Sequence, residues 1–259
     1  MTIDTSKLHI STVADDAEVT ARAFGLGLEI AEFCTAMNMD APNFAQWDAK
    51  VRAETDGITQ LTFHAPFNEL CPAAIEPRVL DVARARYREA AALAASYGAR
   101  RIVVHSGYVP HVYFKGYFAE RSVEFWTELL RDTPDEMEFM LENVLEDEPE
   151  LLAGIVRNVN SPRFKLCLDI GHASCIVSDV PLATWIATDA PHIGHLHIHN
   201  NYREWDHHNA LGDGLIDMDA ALTQILTLAP DATYTIESID AGSSARWLRD
   251  NGYIPAPSF

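Results

Sequence analysis

Six histidines lie within the 23 residues from position 192 to 214, which read HIGHLHIHNNYREWDHHNALGDG. Ile193, Leu196 and Ile198 predict a β-strand, and the two-residue period of a strand places His195, His197 and His199 on one face. Unpartnered polar groups are costly in an apolar core, and neutral imidazole is a common ligand of zinc and related metals. The segment therefore predicts a metal centre, with His195, His197 and His199 as alternative ligands from the strand.

Other metal-ligand side chains follow this strand and end several other apolar runs. The loop before the sequence GDG contains a D-x-H pair, Asp206 and His208, with His207 as an alternative to His208. An unpaired carboxylate would be expensive inside the run YTIES, so Glu237 is better explained as a ligand. The candidate metal ligands are His64, His105, Glu142, Asp169, His172, His197, Asp206, His208 and Glu237.

Eight short apolar runs, each followed by a helical pattern, must position these side chains. Several runs are continuous rather than alternating, which is typical of parallel strands covered by helices. Eight such units in 259 residues predict an α/β fold, a single-domain (β/α)8 TIM barrel over residues 1–259, whose active site lies at the carboxyl ends of the strands. A doubly wound open sheet is the alternative, but no G-x-G-x-x-G follows an early strand. The predicted strands are Leu8–Val13, Leu26–Phe33, Leu61–Phe67, Arg101–Ser106, Glu138–Val144, Phe164–Ile170, Ile193–Asn200 and Thr233–Ser238.

The composition limits where the protein acts and what it binds. No apolar run has the roughly 18 residues of a membrane span, and the first residues have no signal-peptide pattern. The four cysteines form no C-x-x-C pair and are expected to be reduced, so we expect a cytoplasmic protein without a membrane partner. With 38 acidic and 19 basic residues, the net charge of −19 disfavours nucleic acid as a partner.

The order of the candidate ligands resembles a known family. The chain contains H-A-P, V-H-S-G, L-E-N, L-D-I-G-H, H-L-H-I-H-N, D-H-H with G-D-G, and a final glutamate, between Leu61 and Glu237. This series is similar to the xylose isomerase-like TIM-barrel superfamily, which contains the sugar phosphate isomerase/epimerase group and the endonuclease IV group (AP endonuclease family 2). The resemblance implies one divalent metal on Glu142, Asp169 and His197 with Glu237 in the first group. It implies three zinc ions on all nine candidates in the second.

The resemblance and the charge together favour a metal-dependent isomerase or epimerase of a small sugar or sugar phosphate. In that interpretation the metal stabilises an enediolate, Glu142 and Glu237 form the acid/base pair, and His172 orients a hydroxyl group. The first alternative is a multinuclear zinc phosphoesterase of endonuclease IV type, acting on a small phosphoester or on abasic DNA. The second is a non-catalytic metal-binding barrel. The expected cofactors are one to three divalent ions per chain, of zinc, manganese, iron or cobalt.

Three further residues are expected to contact a small-molecule carbohydrate substrate. Arg203 and Asn200 follow the histidine-rich strand, and Tyr108 begins an aromatic loop after the fourth strand. Phe125 and Trp126, on a predicted helix, are interpreted as contacts with the core or with a second subunit of a homo-oligomer.

Overall fold

The computed structural model describes residues 1–175 and 177–256, and the predicted TIM barrel is confirmed. Eight parallel strands pair in chain order, and β8 closes the barrel on β1. Each strand begins within one residue of its predicted start. The strands are β1 Leu8–Ser11, β2 Gly27–Ile30, β3 Leu61–His64, β4 Arg101–His105, β5 Glu138–Glu142, β6 Phe164–Asp169, β7 Ile193–Ile198 and β8 Thr233–Ile236.

One α-helix follows each strand and covers the outside of the barrel. Left-handed glycines end the first and third helices: Gly25 has a φ of 66° and Gly98 has a φ of 87°, a conformation that costs glycine little. Asp217 and Asp240 cap the last two helices through backbone N–H groups. The helices are α1 Ala17–Phe24, α2 Phe44–Glu54, α3 Pro77–Tyr97, α4 Lys115–Arg131, α5 Glu150–Val159, α6 Leu182–Asp189, α7 Met218–Leu228 and α8 Ala241–Asp250.

The core lies between the barrel and the helices, and aromatic side chains of α4 belong to it. Trp126 is fully buried and Phe125 nearly so; the Trp126 ring lies 5.2 Å from the rings of Tyr87 and Phe164. These two α4 residues are therefore core contacts. In the described residues, no helix is long and apolar enough to cross a membrane.

A buried carboxyl group at the end of α6 makes the stability of the fold depend on pH. Asp189 is 3% exposed. Burial, with smaller contributions from Glu150 and Glu146, raises its pKa to about 8. The negative end of the helix dipole also disfavours its charge. Between about pH 4 and pH 8 the folded state keeps a proton that the unfolded chain has lost, so stability falls as the pH rises through this range.

We expect Asp189→Asn to remove this dependence. The free energy of unfolding at about pH 8 should rise by on the order of 2 kcal/mol, and at about pH 4 it should be unchanged. Urea denaturation at both pH values measures the difference, and Asp231→Asn, at an exposed position, is the matched control. An equal gain at both pH values would mean that ionisation of Asp189 is not the cause.

Candidate metal centre

All nine predicted ligands converge at the carboxyl ends of strands β3 to β8 or in the loops beyond them. The closed sheet aligns several of them in neighbouring strands, because His105 is paired with Glu142 and Asp169 with His197. Their donor atoms form three adjoining groups that share carboxylates.

The first group joins two histidines to Glu142. The Nε2 atoms of His64 and His105 lie 3.4 and 3.2 Å from Glu142 Oε2. Phe67 stacks on the His105 ring with 4.2 Å between ring centroids and covers it from the side. Nitrogens of both imidazoles therefore face one carboxylate oxygen.

The second group surrounds His197, which is fully buried. Its Nδ1 atom lies 3.0 Å from Glu142 Oε1, 2.9 Å from Glu237 Oε2 and 3.8 Å from Asp169 Oδ2. Asn143 fixes the backbone of Asp169, since it accepts from the Asp169 N–H and donates to the Asp169 carbonyl. This group contains the four ligands that the resemblance assigns to a single metal.

The third group joins His172, which follows β6, to Asp206 and His208 in the loop after β7. Asp206 Oδ2 is 3.1 Å from His172 Nε2 and 2.9 Å from His208 Nε2. His208 adopts a left-handed backbone conformation with a φ of 49°, which is uncommon for a residue other than glycine. Such strain is often retained at functional sites.

Backbone carbonyls set the orientation of three of these imidazoles. The Nδ1 atoms of His64, His172 and His208 face the carbonyls of Ala65, Asn143 and Glu237 at 2.9, 2.9 and 2.7 Å. A carbonyl can only accept, so each Nδ1 carries the proton and each Nε2 faces the site. This arrangement is typical of histidines that bind metals through Nε2.

The charges of the centre are balanced between buried carboxylates and imidazoles. Burial opposes ionisation of Glu142, but His197 and His105 hold its pKa well below the usual range. Burial also opposes the charge on His208, but Asp206 raises its pKa to about 9. Burial likewise opposes the charge on His172, but Asp169 raises the pKa of His172 well above its usual value. Protons on imidazoles therefore neutralise the carboxylates, and a metal would displace them.

The donor atoms fit divalent metal ions. Sets of three ligand atoms within 4.8 Å of one another include His64–His105–Glu142 and His172–Asp206–His208. Two ligands of a tetrahedral zinc ion at about 2.1 Å are about 3.4 Å apart, close to the spacings in both groups. In the described part of the chain, the buried atoms Glu142 Oε2 and Asp206 Oδ1 lack a hydrogen-bond partner. Nitrogen and oxygen donors suit zinc, manganese, iron or cobalt.

The remaining histidines of the β7 segment have different surroundings. His195 lies deeper in the barrel against Thr233 and Thr235, and burial lowers its pKa to about 3. His199 Nε2 lies 3.1 Å from Asp169 Oδ1, and its ring stacks on His208. A Cβ atom on Gly171 would come within 2.0 Å of His199 Cε1, so this packing requires glycine. The ring of His207 is edge-on to that of Tyr202.

The predicted substrate contacts differ in their environments. Tyr108 lines a cavity of about 390 Å³ that reaches His105. Arg203 is exposed in the loop after β7. Asn200 is buried and is occupied by loop contacts, since it donates to the Leu211 carbonyl and accepts from the Ile216 N–H. A substrate role stays a prediction for all three residues.

Sequence reasoning missed one charged residue beside the centre. Glu29 lies in the middle of β2, is fully buried, and faces His197 from the side opposite Glu142. Like Glu237, Glu29 is an acid within an apolar run, LGLEIAEF, where an unpaired carboxylate would be expensive.

Comparison with known proteins places the chain among barrels of one family. The sequence profile described as "Xylose isomerase-like TIM barrel" matches residues 14–251. An uncharacterized protein of Methanocaldococcus jannaschii, MJ1311, is 27% identical over 188 residues, which cover 69% of this chain and 64% of that protein. The matched part of the chain thus spans slightly less than two thirds of that relative.

Two solved structures superpose over nearly the whole barrel. A D-tagatose 3-epimerase-like protein has a TM-score of 0.75 at 23% identity, with 94% of this chain and 96% of that chain covered. The TTHB071 protein from Thermus thermophilus, soaked with ZnCl2, has a TM-score of 0.72 at 25% identity, covering 95% and 99%. At 23% identity, the similarity to the D-tagatose 3-epimerase-like protein supports the fold alone.

The group of His172, Asp206 and His208 distinguishes a multinuclear centre from a one-metal centre. In a multinuclear centre, Asp206→Ala should lower the zinc content by one ion per chain, because Asp206 is the only carboxylate of this three-residue group; in a one-metal centre the zinc content should be unchanged. Elemental analysis after dialysis against zinc measures the loss. Asp213→Ala is the control, since Asp213 lies in the same loop but is exposed and accepts from Tyr202. Equal zinc contents in Asp206→Ala and the wild type would contradict a metal at this group.

Proposed function

Because the chain belongs to the xylose isomerase-like TIM-barrel family, we propose that it is a divalent-metal-dependent isomerase or epimerase of a small sugar or sugar phosphate. The observation that carries the proposal is the pair of glutamates on one imidazole nitrogen: Glu142 and Glu237 lie 3.0 and 2.9 Å from His197 Nδ1. Two carboxylates next to one metal position can exchange a carbon-bound proton with a substrate held between them.

Five residues of the centre have a part in the proposed reaction. Glu142, Asp169, His197 and Glu237 would hold the cation, which supplies polarisation of adjacent carbonyl and hydroxyl oxygens of the substrate. Glu142 or Glu237 removes the carbon-bound proton, and one of them returns it. His172, held by the Asn143 carbonyl, orients a substrate hydroxyl group. The similarity of the fold to a D-tagatose 3-epimerase-like protein supports the choice of a ketose as substrate.

The charges of the loops beyond the carboxyl ends of the strands support a small substrate rather than a polyanion. Lys115, at the start of α4, lies 2.6 Å from Asp147 and 2.7 Å from Glu148, so two carboxylates neutralise its charge. A protein that grips duplex DNA needs several free Lys or Arg contacts to phosphates. With a net charge of −19, we infer that nucleic acid is not the partner.

The substitution Glu237→Gln tests the acid/base pair. Glutamine keeps an oxygen that can bind metal but cannot accept the substrate proton. Turnover should therefore fall by about 10²–10⁴-fold, while the metal content stays at the wild-type value. Solvent deuterium incorporation into D-tagatose, D-psicose or D-fructose, followed by NMR, measures proton exchange at carbon.

A control variant separates the role of Glu237 from a general loss of negative charge. Glu204 is an exposed acid in the loop after β7, and Glu204→Gln should exchange protons at the wild-type rate. If the metal-loaded wild type exchanged no proton in any of these sugars, or if Glu237→Gln exchanged as fast as the wild type, the proposal would be wrong for these substrates.

A multinuclear zinc phosphoesterase is the second candidate, and one observation favours it. The group of His172, Asp206 and His208 is complete, although a one-metal isomerase does not require Asp206 and His208. Bridged metals could activate a water molecule for attack on a phosphoester. The zinc-soaked Thermus thermophilus relative supports zinc as the metal to test first.

Metal content and hydrolysis together distinguish the two candidates. One ion per chain with sugar exchange supports the isomerase. Two or three zinc ions with hydrolysis of bis(p-nitrophenyl) phosphate support the phosphoesterase, and binding to an abasic duplex at low salt would identify DNA as its substrate. Bound metal without either reaction would indicate a non-catalytic metal-binding barrel.

A further inference from the structure

We propose that Glu29 is a positioning residue that fixes the tautomer and orientation of His197, so that the Nδ1 atom of His197 is available to a metal. The inference rests on the proposed metal-dependent function and adds a residue on the opposite side of the imidazole. Glu29 lies on β2, whereas the candidate ligands come from β3 to β8 and the loops beyond them.

The two atoms that face each other are both buried and otherwise unsatisfied. Glu29 Oε1 lies 3.1 Å from His197 Nε2, and both residues are fully buried. Within the described residues, neither atom makes a hydrogen bond of good geometry. Leaving a buried donor and a buried acceptor unpaired costs about 1–3 kcal/mol each. At this distance, each atom is the natural partner of the other.

Neutral side chains hold the second oxygen of Glu29 in place. Glu29 Oε2 accepts hydrogen bonds from Thr62 Oγ1 at 3.1 Å and from Thr235 Oγ1 at 2.9 Å. His195 Nε2 lies 3.3 Å from the same oxygen. The strands β2, β3, β7 and β8 thus fix the carboxylate, and Glu29 Oε1 can only point at His197.

The carboxylate determines which nitrogen of His197 is free. A carboxylate accepts and does not donate, so it favours the tautomer that has its proton on Nε2. The lone pair is then on Nδ1, the atom that faces Glu142, Glu237 and Asp169. A carboxylate behind a ligating imidazole also raises the basicity of the ligand. Glu29 itself is fully buried below His197, so it orients the ligand rather than contacting the substrate.

The substitution Glu29→Gln, which keeps the size of the side chain, tests the proposal through metal binding. Zinc affinity, measured by competition with a chelator, should fall by about 10–100-fold. The ¹⁵N–¹H spectrum of histidine-labelled, zinc-loaded protein should show an Nε2 proton on His197 in the wild type. That resonance should shift or disappear in Glu29→Gln.

The control Thr62→Val removes a neutral hydrogen bond to the same carboxylate and keeps its charge. Its zinc affinity should stay within about threefold of the wild type, with the His197 resonance retained. Denaturation of the metal-free variants shows whether each one is folded. If Glu29→Gln did not fold, Glu29→Asp would replace it, with the same expectation, because the shorter side chain cannot reach Nε2.

Several outcomes would overturn the role of Glu29. These are wild-type zinc affinity in the Glu29 variant, an equal loss in Thr62→Val, or an unchanged His197 resonance. Cys167 Sγ also lies close to His195 and His197. A lower zinc content in Cys167→Ser would mean that Cys167, His195 and His197 themselves bind a metal, and the positioning role of Glu29 would then be wrong. A wild type that bound no divalent metal would overturn the proposed function as well, whereas loss of sugar exchange alone would not affect the role of Glu29.

Discussion

The structure depends on the electrostatic balance around one buried imidazole, that of His197. Four carboxylates approach it: Glu237, Glu142 and Glu29 at 2.9, 3.0 and 3.1 Å, and Asp169 at 3.8 Å. Like charges in a water-excluded interior repel strongly, and each carries a desolvation cost. Positive charge next to the carboxylates offsets this cost. Imidazolium groups supply this positive charge in the metal-free chain. A divalent metal would supply two positive charges on a single ion.

The scaffold holds several of the ligands in place through hydrogen bonds that involve the backbone. Carbonyls at strand ends and in loops hold the Nδ1 atoms of His64, His172 and His208, and the Asn143 amide holds the backbone of Asp169. The register of the closed sheet then aligns His105 with Glu142 and Asp169 with His197. Because the site draws on six strands, its geometry is a property of the whole barrel rather than of one loop.

Local patterns predict the fold and the ligands at strand ends, but not the interior. The apolar run from Arg101 to Ser106 predicts a strand, which ends at His105 in the structure, because strand length is set by sheet pairing and not by apolar residues alone. Polar residues that end apolar runs are visible in the sequence, so Glu142 and Asp169 could be identified there. The contact of Glu29 with His197 could not, since it crosses the barrel and depends on closure of β8 on β1. Substrate contacts depend on the shape of the loops, and the spacing of apolar and polar residues does not predict that shape.

The position of Glu142 links metal occupancy to chemistry. Its Oε2 faces His64 and His105, whereas its Oε1 faces His172 and His197 at 3.6 and 3.0 Å. Metals on both sides would be held by Glu142 together with His64 and His105 on one side and with His197 on the other, and two cations would lower the basicity of Glu142. Glu142 would then be a poor proton acceptor, and the metals would instead supply activation of a water molecule for hydrolysis. If only the His197 side were filled, one oxygen would stay free to move a proton. Occupancy of the His64–His105 side, like that of the His172–Asp206–His208 group, would therefore favour attack on a phosphoester over proton transfer at carbon.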